Sequence, residues 1–548
     1  MQLQLTTQKL ETTLKHIRND VVDPSWTFHI VNDQLRLESG SVNLHQYSEA
    51  SFRYLSPFAA LFHKESIPFE GAALHNLLEG FRLVSQLKLE HSPSMTPLLT
   101  EPCINFEEMV HTLVHFYIHD HPPQVLPILH ISSYYRHYKS LQDKMTCPIT
   151  MAICVNAASS PMLPMKGYTA KERRAIGDFF FHRSHEILFD IFDNPERRFD
   201  VLTTISLLYH YLSVVRLWFT EARRLATIAL CICDDIQRSD LELTTIQHAL
   251  FQRQHLQSRY VMHFLDLVMQ AHINEEDIFN VEPFAVELEL LEDESDVVKW
   301  NIKAINHVSR LCLSPYFLLI MNQLKNIICN RHTELNLHVF LRFEAIMREW
   351  WQSLPDELRV CDDPYSPDAL NNIKRDTNIT ALLVLHTITA LVHASILKPQ
   401  MQPNAGGHFL HAMRQRALTI TMNSLDVFTR AALASYEHTF VYSEILAFGI
   451  MGHMMYAMAC IQECHEVQMN SQSKQRFSII FKGFSSFLPS DHSIPLSISP
   501  MASAITSRHA SPTMCLYNDY PMPGYALISD TLAVSFDRLQ SLLTPFPH

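Results

Sequence analysis

The sequence predicts an all-α fold: a large helical body with a small β-hairpin near its N-terminus. Three observations carry that prediction. First, only 11 of 548 residues are glycine, where ordinary usage of ~7 % gives roughly 38. Glycine supplies the positive-φ turns of hairpins and phosphate loops, so sheets joined by tight turns are disfavoured. Second, Val201, Ile205, Leu208, Leu212, Val215, Phe219, Ala222, Ala226 and Ala229 recur at alternating steps of four and three. That keeps one apolar stripe on a helix over 201–232. Third, proline marks the intervals between helical stretches, at Pro122-Pro123, Pro148, Pro161, Pro164, Pro195, Pro283, Pro355, Pro364 and Pro399.

Along the chain, residues 1–22 carry Leu3, Leu10, Leu14, Ile17 and Val21, mostly at 3/4 spacing. They read as an amphipathic or coiled-coil remnant, or a linker. Residues 23–100 form an N-terminal extension. In it Trp26–Val31 alternates and is β-rich, and Gln34–Leu37 supplies a second short strand. Asn32-Asp33 is the hairpin turn between them. From about residue 57 the pattern is helical. The strongest stretches are 105–119, 172–192, 201–232, 300–330, 335–353, 376–397, 411–434 and 440–464. The core runs over 101–402 and further helices over 403–470. A Ser/Pro-rich loop spans 471–525, and a terminal helix lies in 526–548. No fixed repeat of 33–45 residues is present. The apolar run Ile445–Cys460 includes His453 and is shorter than a membrane span, so a buried helix is expected there.

Composition narrows the function classes. Hydrophobic residues are 47 % and charged residues 18 %, a globular balance. The net charge of −13 makes the chain a poor sequence-independent binder of phosphate backbones. Eleven cysteines are too sparse for a disulfide scaffold. The polar start Met1-Gln2-Leu3-Gln4 lacks the pattern of a secretory signal, so a reducing intracellular compartment is expected. No glycines fit G-x-G-x-x-G, a P-loop or a G-x-S-x-G elbow, which argues against dinucleotide, P-loop and α/β-hydrolase chemistry.

Four constellations invite chemistry. His111, His115 and His119 stand at i, i+4 and i+8, with His121 beyond, a spacing that can ligate zinc from one helix face. No H-E-x-x-H accompanies them, and packing or a half-exposed helix end is the expectation. Cys231 and Cys233 fall on different faces of a helix, and Cys460-x₃-Cys464 has no second pair at finger spacing. Core cysteines are expected. Asp234-Asp235 with Asp240 is similar to the aspartate-rich Mg²⁺–diphosphate site of all-α prenyl-chain enzymes, but its partner motif is missing. A helix end or start is the simpler reading. The basic pairs Arg173-Arg174, Arg197-Arg198 and Arg223-Arg224 are interleaved with acids and read as solvated helix faces. No catalytic residue, cofactor-binding residue or metal ligand is assigned.

A family resemblance rests on an ordered set of motifs. Residues 116–130 contain Phe116-Tyr117, His121-Pro122 and Pro127-Ile128-Leu129-His130. This resembles the opening of the regulatory "middle homology" domain of fungal zinc-cluster transcription factors, the fungal-specific or xylanolytic-activator-type domain. Pro148–Ala158 resembles the helix that follows. Trp218 with Ala222, Arg224 and Ala226 resembles the family's Trp … Ala-x-Arg-Met-Ala helix, with the Trp two residues closer than usual and the usual glycine absent. Gln257–Val261 stands at a degraded Arg-Arg-x-Trp-Trp helix, with Asp266 after it, and Asn274–Pro283 resembles the acidic approach to a Leu-Pro. Trp350, Leu354, Pro355 and Leu358 resemble the late Trp … Leu-Pro signature, and 379–399 the long Leu/His-rich helix.

The resemblance spans roughly 23–460 and implies an all-α regulatory domain in the nucleus, which is no enzyme. It implies protein partners in the transcription machinery and allows a homodimer; no membrane is implied. The family's six-cysteine, two-zinc cluster is not in residues 1–102, since the first cysteine is Cys103. Zinc as cofactor, and DNA as partner, are therefore expected only where such a cluster is supplied in a longer product. The other readings the residues leave open are an all-α Mg²⁺-dependent prenyl- or terpene-type enzyme and a helical scaffold.

Overall fold

The computed structural model describes residues 105–119, 126–160, 170–216, 218–239, 242–268, 287–312, 334–366, 379–397, 407–436 and 471–485, short strands at 26–31, 34–39 and 66–68, and isolated positions between 314 and 373 and between 453 and 461. The described part is overwhelmingly helical, in line with the low glycine content. Strands β1 (Trp26–Val31) and β2 (Gln34–Ser39) pair antiparallel with Val31 opposite Gln34. That register leaves two residues for the connection, as expected for the Asn32-Asp33 hairpin.

The first half of the body is built around α3. Helix α1 (Phe106–His119) starts where the Asn105 side chain accepts the backbone N–H of Glu108. It turns Val110, Leu113, Val114 and Phe116 into the core. Helix α2 (Ile131–Ser140) follows the buried segment Leu126–His130. Helix α3 (Pro148–Ser159) places proline in its first turn, where no N–H is needed. It is buried almost all round, because α1, α4 (Ala170–Ile191) and α5 (Arg198–His210) pack about it. One glycine sets the α3–α4 distance: a Cβ on Gly177 would lie 3.1 Å from Ser159 Oγ. Helix α6 (Phe219–Arg238) is amphipathic, with Phe219, Ala222, Leu225, Ala226, Ala229 and Cys233 inside. Helix α7 (Thr245–Val268) packs on α6 and α5.

The second half centres on α10 (Thr380–Ile396), buried on every side and packed on α11 (Gly407–Tyr436) and α8 (Asp296–Cys312). Helix α9 (Leu337–Ser353) is tied to α8 by Trp350, whose Nε1–H donates to His307 O at 2.8 Å. Helix α12 (Ser471–Ser485) lies on α11, with Phe477 and Ile480 buried. Arg476 bonds Asn423 and Asp426 there.

The structure corrects several boundaries. The apolar stripe over 201–232 is not one helix. Its α-helical turns stop at His210, Tyr211–Val215 form a π-turn, and α6 begins at Phe219. Arg216 N–H bonds Tyr211 O at 2.8 Å and Trp218 N–H bonds Leu212 O at 2.8 Å, so the ladder widens at this point. The Ser/Pro-rich loop over 471–525 opens with α12, because Phe477 and Ile480 share an apolar face that local composition obscures. The helix expected over 335–353 is preceded by β4 (Glu334–Asn336), which pairs antiparallel with β3 (Ser66–Pro68). The helix over 300–330 is described as Asp296–Cys312. Helices α2, α3 and α7 were not among the stretches singled out by periodicity. Residues 1–22, the remaining expectations for 57–104, and those for 440–452, 486–525 and 526–548 lie outside the described residues.

Candidate functional site

The residues of the late and early motifs are drawn into joints between helices, and each joint has a polar centre. The first is the π-turn. Asp178 on α4 receives the Arg216 Nη1–H at 2.9 Å and a very short hydrogen bond from Tyr211 Oη–H. All three side chains are buried. A lone carboxylate in this core costs several kcal/mol, so the arginine and the phenol act as its solvation shell. Burial, followed by the charge of the same carboxylate, pushes the Tyr211 hydroxyl well above its ordinary range. The Arg216 guanidinium lies 3.9 Å from the centroid of the Trp218 ring, so the motif tryptophan covers the outer face of the joint. Trp218 in turn meets Phe181 edge-on at 5.8 Å.

The second joint explains the Pro127–His130 motif. Arg253 and Gln254 on α7 take its backbone carbonyls. Arg253 Nη1–H donates to Pro127 O at 3.3 Å, and Gln254 Nε2–H donates to Ile128 O at 2.9 Å. Arg253, which is 0 % exposed, also forms a bidentate pair with Glu294, at 2.5 and 2.9 Å, and donates to Glu289 O at 2.8 Å. It thereby clamps the segment 287–294 across α7. His130 adds a second tie to that segment. Its Nε2–H donates to Asp293 Oδ1 at 3.0 Å, and its Nδ1 accepts from Ser133 Oγ at 2.7 Å. The residue types are those of a Ser-His-Asp triad, and the sequence alone did not assemble them. Asp293, however, is 55 % exposed and Ser133 is only three positions on from His130 in the first turn of α2. The arrangement closes a helix start and holds a strap in place.

The third joint carries the late motif. Trp350 and Trp351 both donate their indole N–H to backbone carbonyls, of His307 and of Cys361. Leu354 and Leu358 are buried, and Pro355 O accepts the Leu358 N–H at 2.9 Å. Nearby, Glu344 on α9 lies 3.5 Å from His393 on α10 and pairs with Arg416 on α11. The hydrogen bond from His393, followed by burial that opposes it and by the charge of Arg416, leaves the Glu344 carboxyl below its usual range.

Other predicted positions behave as packing or surface residues. Ala222 and Ala226 are fully buried, which lets α6 approach α5 closely. Arg224 is half exposed and bonds Glu221 through two nitrogens. Burial raises the Glu221 pKa, yet hydrogen bonds from His185 and Arg224 outweigh it and hold this carboxyl at about 2. His121 and Pro122 lie outside the described residues.

Asp234 and Asp235 are exposed in the last turns of α6, within the helix and not at its start. The side chains placed against them are cationic. Arg198 Nη2 is 3.8 Å from Asp235, and the Asp234 charge acts on Arg259. Cys231 is exposed and Cys233 buried, on different faces as their spacing requires. Burial pushes the thiols of Cys233 and Cys312 up to about 12, far from the thiolate that nucleophilic chemistry uses. Among the described residues no group of three His, Cys, Asp or Glu side chains converges to hold a metal ion. No helix among them is long and apolar enough to cross a membrane.

The residues that sequence reasoning missed are Asp178, Arg216, Arg253, Gln254 and Glu294. Each is an ordinary polar residue in its own helix or loop, and only its distant partner makes it a joint. Comparison with known proteins adds no assignment: no family model matches the chain, and no match is found among curated proteins or solved structures.

Proposed function

We propose that the chain is the regulatory domain of a fungal-type transcription factor. It acts in the nucleus through protein partners or a bound effector, and contacts DNA only where a zinc cluster is supplied with it. The observation that supports this reading is the placement of the motif residues. Pro127, His130, Trp218, Trp350 and Leu354 each lie at a joint between helices, and Ala222 and Ala226 are buried in the packing beside them. A body whose helices meet at polar joints has the discrete contacts that a signal-transmitting domain must be able to shift. The acidic net charge suits protein partners better than a phosphate backbone.

The enzyme reading through Mg²⁺ draws less support, because Asp234 and Asp235 face Arg198 and Arg259, and among the described residues no group of three His, Cys, Asp or Glu side chains gathers to hold a metal ion. Tethering the chain to a promoter through a foreign DNA-binding domain tests the proposal. Reporter expression that shifts with the tethered chain is expected, and the chain alone should give no sequence-selective gel shift. Expression indistinguishable from that of the tether alone defeats the regulatory reading and leaves a scaffold.

A further inference from the structure

The outer face of α1 carries a ladder of histidines that none of the helix joints uses. Glu107, His111, His115 and His119 follow one another at steps of four, so they share the face opposite the buried Val110, Leu113 and Val114. All three histidines are exposed. Their rings are in contact with one another: the His111–His115 centroids are 6.4 Å apart and the His115–His119 centroids 4.4 Å apart. Tyr135 on α2 meets the His119 ring edge-on at 6.2 Å and limits its rotation. Among the described residues, no hydrogen bond or ion pair occupies the ring nitrogens of His115 or His119.

We propose that His115 and His119 form a bidentate site for a borderline divalent transition-metal ion of the Zn²⁺, Ni²⁺ or Cu²⁺ class. The distances favour this pair. An imidazole nitrogen binds such an ion at about 2.1 Å, which puts the ring centroid about 3.2 Å from the metal. Two rings meeting one ion at right-angled to tetrahedral geometry then have centroids about 4.5–5.2 Å apart. The observed 4.4 Å falls within about 0.1 Å of that range, whereas the 6.4 Å of His111–His115 lies outside it. Neutral imidazole is a ligand for ions of this class, while Mg²⁺ and Ca²⁺ demand oxygen. The helix supplies rigidity, since the opposite face of α1 is locked in the core.

Two protein donors leave the remaining coordination positions to water, so the site is open and does not require the third convergent ligand that the described residues lack. Glu107, one turn before His111, adds negative charge at the start of the ladder, and Lys139 is turned onto the Tyr135 ring at 4.2 Å. The inference is independent of the regulatory reading, because it rests on α1 and its neighbour α2 alone.

The test is calorimetric titration of the whole chain with ZnCl₂, and separately with NiCl₂, at pH 7.5. Wild type is compared with His115→Ala, His119→Ala, the double variant and a control, His137→Ala, on the exposed face of α2. Alanine is the best helix former and these positions are exposed, so circular dichroism should be unchanged. We expect one class of site to weaken at least tenfold in either single variant, to vanish in the double variant, and to persist in the control. A double variant that titrates like wild type, or a wild type that takes up neither metal, overturns the proposal.

Discussion

Replacing Arg253 by methionine should be among the most damaging single changes in this chain. Methionine keeps much of the stem volume, so the loss isolates the guanidinium. The Glu294 side chain, 6 % exposed, is left without its bidentate partner. Removing one member of a buried pair costs about 3–5 kcal/mol, mostly because the other charge stays desolvated. Two backbone carbonyls, of Pro127 and Glu289, lose a donor as well, and each adds about 1 kcal/mol. The combined expectation is roughly 5–7 kcal/mol. Urea unfolding followed by tryptophan fluorescence reads the stability. Amide exchange of residues 126–130 and 287–294 reads the clamp itself. Adding Glu294→Leu removes the stranded carboxylate, so the double variant should regain at least about 2 kcal/mol over Arg253→Met. A single variant within about 1 kcal/mol of wild type, with unchanged exchange in both segments, would show that Arg253 is not the clamp.

Three further outcomes follow from other contacts. His386 is buried, its Nε2–H donates to Pro364 O, and burial lowers its pKa to about 4. The unfolded ring takes up a proton near ~6.5 while the folded ring refuses it until about 4, so its contribution is full above ~6.5 and falls as pH drops through that window. The stability difference between wild type and His386→Phe should therefore shift by about 3 kcal/mol, against wild type, between pH 7 and pH 4; a parallel pair of pH profiles contradicts this. Gly483→Ala should destabilise by about 1–2 kcal/mol despite alanine's better helix propensity, because the new Cβ would meet Thr429 Cγ2 at 2.8 Å. Thermal unfolding that rises in this variant refutes the close packing of α12 on α11. Ala226→Leu, at a fully buried α6 position, should cost about 1–3 kcal/mol by overpacking, and a neutral result in the same assay would place that face elsewhere.

Much of the helical body was legible because its signals are local. The helix at Pro148–Ser159 is the exception: it was legible only through the resemblance of Pro148–Ala158 to a family's helix. The run from Phe106 to His119 shows its buried face by spacing alone. The β-rich segment before Asn32-Asp33 needs only its neighbour in sequence to pair. What was illegible depends on distant partners. Nothing near Tyr211 announces a π-turn, since the widened ladder accompanies an arginine that reaches Asp178, on another helix. Arg253 is separated by 126 positions from Pro127, and it looks like any surface arginine until α7 is packed. The β3–β4 pair joins residues 66–68 to 334–336, a non-local pairing that no short pattern specifies. The motif residues were found because their order could be compared with a family's; their roles as joints emerged only from the packing.

The central claim is that this helical body regulates transcription through contacts its joints maintain. The most direct measurement is reporter output from a promoter to which the chain is tethered by a foreign DNA-binding domain, with wild type and Arg253→Met compared at equal protein levels. The account predicts that wild type shifts expression several-fold from the tether alone and that the clamp variant loses the shift. Output equal to that of the tether alone, from both chains, contradicts it.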